Sequence, residues 1–153
     1  MSKINVSRVF LGGLVAGLVG LAGDVIIVVA IPLAVRAGFP GGPHLPPPSA
    51  QVMVMYIAAV LLVGGPAGIW FYAAIRPRFG PGPKTATYGG LWIWLILVPY
   101  MQIVLTTLGL NPFSAGLLLL FDAISLPLII AAMVAGAFVY KEEDAVRAAG
   151  AGQ

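Results

Sequence analysis

The stretch Leu11–Val35 is one long apolar run containing a single charged side chain, Asp24, and flanked by Arg8 and Arg36. About 20 apolar residues in a helix cross the hydrocarbon core of a bilayer, so a run of this length predicts a transmembrane span. Asp24 then falls among acyl chains, where a carboxylate costs about 3 kcal/mol even on lenient insertion scales. The sequence must supply it with a polar partner from another helix. Three more apolar runs follow, and each carries a polar side chain at a comparable depth.

Composition leads to the same class. Of 153 residues, 60% are hydrophobic and only 8% charged, and the mean hydropathy is +1.03. Soluble domains carry about 25% charged residues, so this chain cannot cover a water-facing surface. No polar block is long enough to fold alone, which predicts a single membrane domain. The net charge of +3 does not point to nucleic acid, because no basic stripe alternates with aromatic residues. The absence of cysteine removes disulfides and thiolate chemistry. The opening MSKINVSR has the look of a signal peptide, but the run behind it exceeds the about 7–15 residues of a signal core and lacks an A-x-A site. It reads as a retained first span.

The spans are expected at about residues 9–35, 50–75, 88–108 and 113–140, giving an all-α, four-helix transmembrane bundle. In the first, Gly13, Gly17 and Gly20 share one face with Asp24; small residues let a neighbouring backbone approach closely in lipid. Arg36–Ser49 is rich in Pro and Gly, predicting an outer polyproline loop that holds the lone His44, a solvated side chain. In the second span Gly64-Gly65-Pro66 predicts a kink, and Trp70, Phe71 and Tyr72 an aromatic belt. Arg76–Thr87 (RPRFGPGPKTAT) reads as a tight, basic, non-helical loop without the free N–H groups of a phosphate cradle, and Arg76, Arg78 and Lys84 there suit lipid headgroups. Pro99 bends the third span, and Asn111 before Pro112 predicts the N-cap of the fourth. Ala148–Gln153 reads as a frayed tail. Lys3, Arg8, Arg76, Arg78, Lys84, Lys141 and Arg147 fall on one side and Arg36 on the other. By the positive-inside rule both termini and the basic loop are cytoplasmic.

Counting about 1.5 Å per residue from the outer ends puts Asp24 about 16 Å deep, Asp122 about 14 Å, and Tyr56 and Gln102 about 9 Å. With Ser125 these form a polar layer, the two acids facing inward and toward each other, and no cation at that depth to neutralise them. Such acids can pin helix register, handle a proton or cation, or line a pocket for a small ligand or lipid. Catalysis finds no support. Neither a Ser-His-Asp nor a Cys-His set can form, and no membrane histidine is present to hold haem. No metal site or cofactor is expected.

Tyr72–Ala86, YAAIRPRFGPGPKTA, resembles a motif of small, uncharacterised four-helix bacterial membrane proteins, and the opening RVFLGGLVAGLV, Arg8–Val19, is similar to their first span. The resemblance implies four spans and a bacterial inner membrane, and implies no catalytic residue. The expectation is a non-enzymatic membrane protein surrounded by lipid. Its leading role is an accessory subunit or homo-oligomer docking through the Gly13/Gly17/Gly20 face and the small-residue face of the fourth helix. The alternative is a proton- or cation-coupled small carrier using Asp24 and Asp122.

Overall fold

The computed structural model describes residues 4–36, 49–111 and 113–140; His44 and its loop, Pro112 and the tail beyond Tyr140 lie outside them. These residues form four helices: α1 (Val6–Arg36), α2 (Ala50–Phe79), α3 (Pro83–Thr107) and α4 (Ala115–Val139). Each includes a stretch long and apolar enough to cross a membrane. The chain is an all-α multi-pass membrane protein, as its hydropathy predicts.

Local chemistry sets the helix starts. Asn5 Oδ1 accepts from the Arg8 amide at 3.2 Å, Ser49 Oγ from Val52 at 3.3 Å and Ser114 Oγ from Leu117 at 3.4 Å. Each satisfies one of the amides that a first helical turn leaves without a partner. The fourth helix is therefore capped by Ser114 and not by Asn111. The Asn111 side chain stays in the preceding turn, accepting from the Phe113 amide and donating to the Thr106 hydroxyl, both at 3.1 Å. That turn closes α3 on Gly109, at φ +70°, with the Leu110 amide reaching back to the Leu105 carbonyl at 2.9 Å. A left-handed residue after a helix costs glycine nothing, which is why glycine ends α3 here.

The basic connection is shorter than the sequence suggests. Helix α2 continues through Pro77 to Phe79 and α3 begins at Pro83, so only Gly80–Gly82 is non-helical. Gly80 (φ +83°) and Gly82 (φ +123°) take backbone conformations that a side chain would strain,. They reverse the chain without help from the prolines, leaving Pro77 to ride inside the last turn of α2. Thr85, fully buried, donates to the carbonyls of Gly80 at 2.7 Å and Phe79 at 3.3 Å. Tyr72 accepts from the Gly82 amide at 3.1 Å.

The four helices form a ring in which α1 packs on α2 and α4, and α3 packs on α4 and α2. The core lies toward the basic end, where Val9, Ala16, Ile69, Tyr72, Ala73, Ala86, Met133 and Tyr140 form one buried cluster. Tyr72 meets Tyr140 edge to face at 6.0 Å, and the Arg76 guanidinium lies over the Tyr140 ring at 5.9 Å. Tyr72 is thus core rather than belt, whereas Trp70 is exposed. Residues near both ends of the described chain meet the α2–α3 turn at this end of the bundle. At the opposite end the helices separate. The first ten residues of α2, Ala50–Ala59, and the last seven of α3, Met101–Thr107, contain no buried residue.

Both α2 and α3 are widened at mid-length by a turn with an extra residue, Val60–Gly64 before Pro66 and Ile96–Tyr100 around Pro99. Proline supplies no amide and its ring collides with the carbonyl four residues back. Widening the turn relieves the collision, and in α2 the Gly65 amide bonds Val60 instead. These turns fall where Gly64-Gly65-Pro66 and Pro99 interrupt the apolar runs.

Candidate functional site

The glycines of α1 divide their work. A side chain at Gly13 would collide with Gly65 and Pro66, and one at Gly17 would come within 3.1 Å of the Val60 carbonyl oxygen. Both therefore seat α2 against α1 within one chain. Gly136 of α4 does the same for Gly12. Gly13, Gly17, Ala132 and Gly136 of the faces expected to receive a partner are buried within the bundle, whereas Ala131 is exposed. Gly20 differs: nothing lies within 4 Å of where its Cβ would be, because it faces a void.

That void is a cavity of about 270 Å³ at the centre of the bundle, lined by all four helices. Gly17, Gly20 and Asp24 come from α1; Tyr56, Val60 and Gly64 from α2; Leu97 and Val98 from α3; and Phe121, Ser125 and Met133 from α4. Both widened turns contribute to its wall. Its volume is near the lower end of the about 300–1,000 Å³ usual for small-molecule pockets. Tyr56, Gly64 and Leu97 are also exposed, so the cavity is not sealed from the surroundings of the protein.

The polar layer resolves into two couples. The Tyr56 hydroxyl donates to Asp24 Oδ2 at 2.5 Å, joining α2 to α1 at the cavity. The sequence count puts these two side chains at different depths; the length of the tyrosine side chain bridges the offset. Asp122 instead has Gln102 of α3 as its polar neighbour, with Oδ1 buried and unpartnered. Each acid is therefore matched to a neutral side chain of an adjacent helix, not to the other acid. Asp122 does not line the cavity. Ser125 links the two regions: its hydroxyl accepts from Trp94 Nε1 at 3.1 Å and donates to the Asp122 main-chain carbonyl at 3.2 Å. Trp94 escapes sequence reasoning because an indole in an aromatic-rich span resembles any other lipid anchor.

Of the basic side chains expected at lipid headgroups, Arg78 and Lys84 are exposed at the turn end of the bundle, while Arg76 is half-buried against Tyr140. Among the described residues no three His, Cys, Asp or Glu side chains come together as a metal site. Comparison with protein-family models, curated proteins and solved structures gives no match.

Proposed function

We propose that this protein is a non-enzymatic, proton- or cation-coupled small carrier of a bacterial inner membrane, with its basic end and both termini in the cytoplasm. One observation carries the reading: an apolar cavity bounded by all four helices holds a single carboxyl group, Asp24, fixed by Tyr56. An acid inside a span is expensive, and is retained where it meets a proton, an ion or a cargo. The widened turns at Val60–Gly64 and Ile96–Tyr100 support this reading, since such turns recur at functional sites. In this role Asp24 alternates between a protonated and a cation-bound state, Tyr56 orients its carboxyl, and Asp122 with Gln102 holds α4 to α3. The reading as an accessory subunit has less support, because Gly13, Gly17 and Gly136 are occupied by contacts within the chain. Self-association then uses the lipid-facing surfaces.

The test is proton movement in liposomes loaded with a pH-sensitive dye. Gradients of sodium, potassium, tetramethylammonium and benzyltrimethylammonium are imposed in turn. The wild type is expected to move protons against at least one of them. Asp24→Asn abolishes this movement and Asp122→Asn retains it. Silence with all four gradients, or an undiminished response in Asp24→Asn, removes the carrier reading.

A further inference from the structure

We infer that the central cavity is a binding site for a lipophilic monovalent organic cation, a protonated or quaternary amine with a small apolar body, and that Asp24 is its counter-charge. This inference rests on the carrier reading for its purpose, but on the cavity alone for its chemistry. The lining supplies three polar side chains: Asp24, Tyr56 and Ser125. Ser125 is already engaged, accepting from Trp94 and donating to the Asp122 carbonyl. Tyr56 is directed at Asp24. What faces the void is therefore one acidic group in walls of Ala, Gly, Ile, Val, Leu, Phe and Met.

Anions, polyols, divalent metal ions and purely apolar ligands each fail on this lining. An anion would meet a carboxylate with no Lys, Arg or His among the lining residues to neutralise it. A sugar or polyol would lose its hydrogen bonds to water and find almost none in return. A bare calcium ion takes six to eight oxygen ligands and magnesium an octahedral set, whereas the cavity offers one carboxyl and two hydroxyl groups. A purely apolar ligand fits the walls but leaves Asp24 without a role.

An organic ammonium matches every feature at once. Its charge is spread over alkyl groups, so leaving water costs it less than it costs a metal ion. One carboxylate and the aromatic side chains of Tyr56 and Phe121 in the lining can compensate the rest, since aromatic rings attract such cations. Its apolar body fills a void of about 270 Å³ that would otherwise forfeit dispersion contacts. Tyr56, Gly64 and Leu97 of the lining are exposed, so the cavity is not sealed and a lipophilic cation can enter beside them. Tyr56 is the one other titratable side chain in the lining, and Asp122 lies beyond it beside Gln102. Asp24 is therefore the acidic group at which a cation and a proton would compete.

Binding can be read apart from transport, by calorimetry on the purified protein in nanodiscs. The probes are benzyltrimethylammonium, its uncharged isostere neopentylbenzene, and 4-tert-butylbenzoate. The cation is expected to bind at least about tenfold more tightly than the neutral isostere, and the benzoate not at all. Asp24→Asn should remove that preference while Asp122→Asn keeps it. Gly20→Leu, placed where space is open, should block the cation by filling the cavity without disturbing the helices. Equal affinity for cation and isostere, cation binding unchanged in Asp24→Asn, or unchanged in Gly20→Leu overturns the inference. Binding as expected without proton movement in liposomes overturns the carrier reading and leaves the binding site standing.

Discussion

Gly12 of α1 and Gly136 of α4 meet main chain to main chain: the carbonyl oxygen of each occupies the place where the other's side chain would begin. Such contact allows Cα–H···O interactions and close dispersion packing, which hold helices together where lipid removes the hydrophobic drive. A methyl group at Gly136 would lie 2.6 Å from the Gly12 oxygen and 2.6 Å from Ile69 Cδ1. Neither the backbone nor a fully buried Ile69 can yield without moving a helix. Gly136→Ala is therefore expected to lose about 1–3 kcal/mol, measured by unfolding in mixed detergent. Gly20→Ala, which meets nothing within 4 Å, should hold its stability or gain up to about 1 kcal/mol from helix propensity. Equal losses in the two variants would mean that the interhelical contact is not the cause.

Hydropathy alone locates the four spans, because in lipid a backbone must satisfy its hydrogen bonds within a helix and needs a long apolar run to do so. The ends are less legible. Pro77, Pro81 and Pro83 look like a broken loop, yet Gly80 and Gly82 make the reversal and free Pro77 to remain helical. Asn111 is a sound N-cap by type, but its side chain is held by Thr106 and Phe113, leaving Ser114 to cap α4. At the site, Asp24 and Tyr56 stand out in sequence as polar groups in apolar runs. Their pairing does not, since it depends on how α1 and α2 rotate about Gly13 and Pro66. The cavity is invisible in sequence for a related reason. It exists because two widened turns separate the helices, and Gly20 looks identical to Gly13 and Gly17 although only they are packed.

Thr85 should be the most sensitive polar side chain at the basic end. It is 2% exposed and its hydroxyl serves the Phe79 and Gly80 carbonyls. Thr85→Val keeps the shape and deletes the donor, so the Gly80 carbonyl loses its 2.7 Å partner and the Phe79 carbonyl the longer branch of the same shared bond,. A loss of about 1–2 kcal/mol is expected, read from the same detergent unfolding. Thr85→Ser keeps the donor and should recover most of it. Unchanged stability in Thr85→Val would show that these hydroxyl bonds do not hold the turn, whereas a loss confined to Thr85→Ser would point to the methyl group.

Because the sequence has no cysteine, orientation can be tested with single introduced thiols. Lys84 and Leu110 are both exposed and lie at opposite ends of α3. With the basic end in the cytoplasm, a membrane-impermeant maleimide added to intact spheroplasts should modify Leu110→Cys and spare Lys84→Cys until the membrane is opened. The reverse pattern would show that the seven-to-one distribution of cations does not set topology in this chain.

The Tyr56–Asp24 hydrogen bond also ties together the open half of the bundle. Ala50–Ala59 contains no buried residue, so little packing holds this segment to its neighbours, and among the described residues the bond to α1 at 2.5 Å links its side chains to another helix. Interhelical hydrogen bonds in membranes contribute about 0.6 kcal/mol on average. Removing this one in Tyr56→Phe should accelerate amide exchange in residues 52–57 by roughly threefold, the factor that energy corresponds to. Exchange around Ile69 and Met133, in the packed half, should not change. Asp24→Asn keeps an oxygen that can accept from Tyr56, so its exchange should stay close to wild type even as its charge-dependent functions vanish. If Asp24→Asn loosens residues 52–57 as much as Tyr56→Phe does, the carboxyl's charge is needed to close the bundle. Loss of proton movement in that variant would then report lost structure rather than lost chemistry.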